Sequence, residues 1–230
     1  MVKYSMTVAL IVPVLKRFDL FTELIHSVDY PIHPIIMDNW NDNRGVSSAW
    51  NNGMVIAKKN KFDYAIISND DVVFRKDTIK KLHDSIAMNE HVVIGADQIE
   101  DRENNGLINE THSDVYFSPF ACFAVNLNKL ILKCGYFDEN FYPAYFEDND
   151  MRRRIELAGL TIKINTDAKI FHHGSATQNP NKNNIIDNWA VKPAKFEENR
   201  LYYVKKWGGM PGEEKFSTPF NDPNLTLKDW

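Results

Sequence analysis

The sequence predicts an α/β fold with a mostly parallel central sheet flanked by helices. Three observations carry this expectation. Short, continuously apolar runs rich in β-branched residues recur through the first half of the chain, as in strands buried on both faces. Segments with apolar residues at intervals of three and four separate them, the spacing of amphipathic helices. Two successive strands also end in acids or amides, at the sheet edge where open α/β folds place their ligands.

Taken in order, Val8 to Val12 is the first apolar run, stopped by Pro13. Phe18, Phe21, Leu24, Ile25 and Val28 follow at helical spacing. Ile32 to Met37 is the second strand and ends at Asp38-Asn39. Val46, Ala49, Trp50, Gly53, Met54 and Ala57 mark one face of a second helix. Phe62 to Ser68 is the third strand and runs into Asn69-Asp70-Asp71. Asp77 is placed to cap a helix carrying Ile79, Leu82 and Ile86, and Val92 to Gly95 is the fourth strand. Such β-α alternation predicts a parallel sheet with helices on both faces.

The pattern changes after Gly95. Asp97 to Asn109 is polar and loop-like, while Val115 to Phe117 and Ala121 to Val125 read as short strands. Leu127 to Leu132 reads as a short helix. Met151, Ile155 and Ala158 form the buried stripe of another helix, stopped by Gly159. Glu147, Asp148 and Asp150 crowd its N-terminus, where the macrodipole and free amides stabilise anions. Arg154 lies one turn from Asp150, the spacing of a structural ion pair. Thr161 to Ile164 and Ala168 to Phe171 read as strands, the second leading into His172-His173-Gly174. Asn179-Pro180-Asn181 opens an amide-rich loop, Phe196 to Trp207 reads as a helix, and Pro211 to Trp230 as an irregular tail. Trp50, Trp189 and Trp207 are expected in the core or a lid rather than as sugar platforms.

At 230 residues with a net charge of −4, the chain fits one large domain without general attraction to nucleic acid or anionic membrane. No apolar run approaches the ~20 residues of a membrane span, and the apolar start reads as a strand rather than a signal peptide. Cys122 and Cys134 lack metal-ligand spacing and fit reduced thiols in a cytoplasmic protein.

The chemistry centres on Asn69-Asp70-Asp71. Adjacent carboxylates at a strand end repel each other, and a hard divalent cation with oxygen ligands relieves that repulsion. Neither G-x-G-x-x-G nor a P-loop is present, so a diphosphate here would be held through a metal. Asn69-Asp70-Asp71, Glu147-Asp148 and His172-His173 all lie at element boundaries. Facing one cleft, they would supply metal ligands and a general base.

These residues resemble family 2 glycosyltransferases, which have the GT-A fold. The resemblance rests on Asp38-Asn39, the Asn43-x-Gly45 to Asn51-x-Gly53 helix, Asn69-Asp70-Asp71, Phe137-Asp138-Glu139, Phe146-Glu147-Asp148-x-Asp150-x-x-x-Arg154, Ala158-Gly159 and His172-His173-Gly174-Ser175. It covers roughly residues 6–178, and the tail from Asn199 to Gly209 resembles the closing segment of some bacterial and viral members. The resemblance implies a metal-dependent, inverting transferase that uses a nucleotide-diphosphate sugar with Mn2+ or Mg2+. Asp71 and His172 are the implied metal contacts, His172 matching the family position better than His173. Asp38, Asn39, Asn69 and Asp70 fall to the nucleotide, with Asn69 a departure from the family's first D-x-D acid. Asp148 is the implied base, and Glu147 positions Asp148 or the acceptor. The whole chain, 1–230, then reads as one domain. Residues 1–97 form its nucleotide-sugar half, 98–178 its acceptor and catalytic half, and 179–230 an extension that includes a possible lid.

Two rivals stand beside this reading. A nucleotidyltransferase would want a basic, Gly-rich loop after the first strand, and Pro13 to Phe18 has no Gly. A non-catalytic nucleotide- or carbohydrate-binding module would need no base. The acceptor is by default a glycan or lipid-linked sugar. A modified DNA base is the alternative, with Lys58, Lys59, Lys61, Lys80 and Lys81 as the expected basic face.

Overall fold

The computed structural model describes residues 7–99, 119–174 and 193–230. The strand expected at Val115 to Phe117, most of the polar loop before it, Trp189 and the amide-rich loop lie outside the described residues. The elements are β1 (Val8–Val14), α1 (Phe18–His26), β2 (Ile32–Asp38), α2 (Gly45–Lys59), β3 (Tyr64–Ser68), β4 (Val72–Phe74) and α3 (Thr78–Met88). After them come β5 (Val93–Ile99), β6 (Cys122–Asn126), α4 (Leu127–Cys134), α5 (Glu147–Leu157), β7 (Ile162–His172) and α6 (Pro193–Trp207).

The strands form one seven-stranded sheet in the order β2-β1-β3-β6-β5-β7-β4. β1, β2, β3, β5 and β7 share one direction, while β6 and β4 run against them. The fold is thus the expected mostly parallel α/β sheet, with a difference at its centre. The fourth predicted strand, β5, does not lie beside its predecessor, because β6 inserts between β3 and β5. A continuous apolar run reads alike whichever way it points, so the insertion left no trace in the pattern.

Alternate residues of each strand face opposite layers. Ala9, Ile11, Ala65, Ile67, Phe123 and Val125 pack under α2, α4 and α5. Leu10, Val12, Ile66, Ile94 and Ala124 pack under α1 and α3 on the other face. The close approach of α2 to β1 requires Gly53, where a Cβ would lie 2.3 Å from Ile11 Cγ2. Gly159 ends α5 as expected: at a φ of +67° its N–H donates to Glu156, and the Leu160 N–H reaches back to Ile155.

Three local expectations are corrected. Asp77 stands at the N-terminus of α3 in a left-handed conformation and makes no capping bond through its side chain. The two strands expected at Thr161 to Ile164 and Ala168 to Phe171 are one strand, β7. Its polar Asn165-Thr166-Asp167 stretch is an irregularity opposite Ala96 and Asp97, closed by Asn165 Oδ1 accepting from the Asp167 N–H. The basic face does not form, because the α2 and α3 lysines lie on helices covering opposite faces of the sheet.

The tail builds a third apolar cluster, Phe141, Phe146, Tyr203 and Trp207, outside the sheet layers. Phe141 is fully buried there. No helix among the described residues is long and apolar enough to cross a membrane.

Candidate active site

The carboxyl ends of β1, β2 and β3 meet at one edge of the sheet. Val14 pairs with Asp38, the Asn39 N–H donates to the Val14 carbonyl, and the Leu15 N–H donates to Asp70 Oδ2 at 3.2 Å. The chain reverses at Asn69-Asp70-Asp71 and returns as β4, which pairs antiparallel with β7. This pairing sets Val72 opposite His172 and bonds the His173 N–H to the Asp71 carbonyl.

One consequence is the central feature of the edge: His172 Nε2 lies 3.0 Å from Asp71 Oδ1. His172 Nδ1 faces Gln98 Oε1 at 3.3 Å. When Nδ1 carries the proton toward that oxygen, Nε2 presents a lone pair to a carboxylate oxygen. A cation shared by the two would satisfy that lone pair, whereas with the proton on Nε2 the same contact is an ordinary hydrogen bond to Asp71. The separation also fits neighbouring ligands of an octahedral ion, since bonds of about 2.1 Å at right angles put their donors about 3.0 Å apart. His173, in contrast, turns its ring to Glu23 Oε2 at 3.0 Å.

Charge balance at this edge leans negative. Burial, then the neighbouring Asp71 charge, pushes the Asp70 carboxyl up to about 7. Arg17, 5% exposed, is bound through Asp19 and also feels Asp70 and Asp71. Sequence reasoning missed Arg17, because a lone arginine in a strand-to-helix turn reads as surface. It also missed Phe18 and Trp40, whose rings stand 5.3 Å apart and are 46% and 41% exposed beside Asp38.

The remaining nucleotide candidates hold the turns. Asp38 is exposed and accepts the Trp40 N–H through Oδ1 at 2.8 Å. Asn39 is buried, and the Asn69 N–H donates to the Ala121 carbonyl. Among the described residues no three His, Cys, Asp or Glu side chains group as a complete metal cage. Asp71 and His172 are a pair, which suits an ion that takes its other ligands from phosphates and water.

Glu147 and Asp148 open α5. The segment before them is fastened to the N-terminus of α2, with the Val46 N–H donating to the Pro143 carbonyl and the Tyr142 hydroxyl to the Asn43 carbonyl. α2 begins just past β2, so these bonds tie the segment leading into α5 to the chain that follows Asp38. Glu147 is buried. Desolvation and the adjacent Asp148 hold its carboxyl well above the usual range, and Oε2 lacks a hydrogen-bond partner among the described residues. Asp148 is half-buried and accepts the Asn149 N–H at 2.8 Å. Asp150, in the same turn, is fully buried and pairs with Arg154, as its spacing predicted.

No protein-family model and no curated protein sequence matches the chain. Solved structures do. The catalytic domain of Drosophila β1,4-galactosyltransferase 7, in complex with xylobiose, is similar with a TM-score of 0.60 at 15% identity, covering 84% of this chain and 79% of that one. A mutant of that enzyme, complexed with manganese, UDP-Gal and xylobiose, gives 0.57 at 15% identity, covering 82% and 79%. S. aureus TarS in complex with UDP-GlcNAc gives 0.58 at 17% identity, covering 85% of this chain and 65% of the TarS fragment. Against the longer TarS structure the chain spans 39% of the partner's length. The fold of this chain is that of the GT-A glycosyltransferases.

Proposed function

We propose that this chain is a metal-dependent glycosyltransferase of family 2 type, transferring a sugar from a nucleotide-diphosphate donor to a hydroxyl acceptor with inversion. The observation that carries the proposal is the 3.0 Å approach of His172 to Asp71 at the open edge of a GT-A sheet. Asp71 and His172 would hold Mn2+ or Mg2+, which when bound offsets the charge of the departing diphosphate. Asp70, Asn69, Asp38 and Asn39 line the nucleotide's side of the edge. The exposed rings of Phe18 and Trp40 offer the base a stacking surface beside Asp38.

Asp148, at the head of α5, takes the proton from the acceptor hydroxyl as that oxygen attacks the anomeric carbon. The attack comes from the face opposite the diphosphate, so the new glycosidic bond forms as the bond to the diphosphate oxygen breaks. The diphosphate leaves with the electron pair, and the configuration inverts. Burial and the adjacent Asp148 favour the protonated form of Glu147, which suits it to position Asp148 or the acceptor rather than to compete as a base.

The test is nucleotide release. Purified protein, Mn2+ and a panel of nucleotide sugars are incubated with and without simple glycosides, and free nucleoside diphosphate is quantified. Release from one donor that is abolished by chelator and by Asp71→Ala supports the reading. Release that is unchanged in Asp71→Ala contradicts it.

A further inference from the structure

We propose that Asn199, on α6, is a positioning residue for the carboxylates at the head of α5, which rests on the reading of Asp148 as the base. The step into α5 runs through two consecutive aromatic residues with left-handed backbone, Tyr145 at a φ of +78° and Phe146 at +72°. Side chains with a Cβ disfavour that region. Such a conformation persists only where its surroundings over-determine it.

The surroundings come from α6. The Asn199 side-chain amide, 3% exposed, donates to the Ala144 carbonyl at 2.8 Å and to the Tyr145 carbonyl at 3.2 Å. The Phe146 ring lies against Phe196 and Tyr203, and the Tyr145 ring against Phe196. One turn into α5, the same helix takes hold again. Trp207 Nε1 donates to Asp150 Oδ1 at 2.9 Å, and Lys206 Nζ reaches the same oxygen at 2.7 Å. Glu147 and Asp148 lie between these two grips.

Among the described residues α6 adds no side chain to either sheet-facing cluster, and its apolar contacts include Tyr145 and Phe146 at the α5 entry. The Trp-Gly-Gly end of the helix has its own requirement. A Cβ on Gly208 would meet the Phe216 ring at 2.8 Å, and one on Gly209 the Glu213 carbonyl at 2.1 Å. That turn returns the chain so that the Lys215 and Phe216 N–H groups donate to the Trp207 carbonyl.

The experiment compares Asn199→Ala and Asn199→Ser with Asp148→Asn and wild type. It reads kcat, donor KM, and amide hydrogen exchange along Tyr145 to Asp150. The expected result for Asn199→Ala is a kcat lower by about ten- to hundredfold, donor KM within about twofold of wild type, and faster exchange confined to the entry of α5. Asn199→Ser, which keeps one donor, is expected between the two. Wild-type kcat with unchanged exchange overturns the proposal. So does a parallel loss of kcat, donor affinity and exchange protection across the sheet, which marks a general structural role. Full activity in Asp148→Asn removes the base assignment itself, separately from the exchange result.

Discussion

Two acidic clusters flank the first turn of α5 and the end of β3, and they are built on opposite principles. Behind α5, Asp138 and Asp150 are matched by Arg154 and Lys206, all four within 1% exposure. Lys206 Nζ bridges the two acids at 2.8 and 2.7 Å, and Arg154 Nε donates to Asp150 at 2.9 Å. Tyr202 and Trp207 add donors, and the ammonium lies 3.6 Å from the centre of the Trp230 ring. Burial alone would raise the Asp150 carboxyl, yet Arg154 and Lys206 outweigh it and hold it below its ordinary value. At the β3 end the imbalance is the reverse. The arginine whose charge both acids feel is itself bound to Asp19, and Asp70 is pushed upward by burial and by Asp71. A cluster that closes its own charge holds structure together. A cluster left negative at a sheet edge is suited to a cation that arrives with substrate.

Removing a partner from each cluster should therefore have opposite effects. Lys206→Met leaves Asp138 and Asp150 buried with one cation fewer, and is expected to cost about 3–5 kcal/mol in urea unfolding. A neutral result would mean that the cluster is not the brace described. Asp70→Asn should stabilise, in a pH-dependent way. The Asp70 carboxyl titrates near 7 when folded against 3.8 as its ordinary value. Between those values the folded chain keeps a proton that the unfolded chain releases, so stability falls as pH rises through that window. In chelator, the variant should gain up to roughly 4 kcal/mol over wild type at pH 8 and little at pH 4, from three pKa units at about 1.4 kcal/mol each. Equal melting of the two proteins at pH 8 would show that Asp70 carries no such strain. The smallest expected effect is at the rim. Trp40→Ala should weaken nucleoside diphosphate binding by about 1–3 kcal/mol while leaving inorganic pyrophosphate affinity and melting temperature unchanged. Equal loss for both ligands would remove the base from that surface.

The layers of this fold were legible because Val8 to Val12 is a continuous apolar run and Val46 to Ala57 keeps a period of 3.6 residues. Strand direction was not, since Ala121 to Val125 would look the same in a parallel position. Asp150 and Arg154 were legible as a pair because they lie one helical turn apart. Asp71 and His172 meet only through the β4–β7 pairing, which no spacing encodes; their places at element boundaries suggested the clusters, and the family resemblance singled out these two residues. Lys206 in a polar helix reads as solvated, and its burial depends on partners far away in sequence. The supposed basic face failed for a related reason: a linear count of lysines does not record which side of the sheet a helix covers.

The most direct test of the metal-edge reading is binding of Mn2+ by the intact protein, followed by electron paramagnetic resonance or calorimetry, with UDP, GDP, CDP and TDP each present. Asp71→Ala and His172→Ala are compared with wild type. The expected result is that one nucleoside diphosphate tightens Mn2+ binding in wild type and that both variants lose this coupling while remaining folded. Unchanged metal and nucleotide binding in Asp71→Ala would contradict the account, because the pair at the end of β3 would then not be where the cation sits.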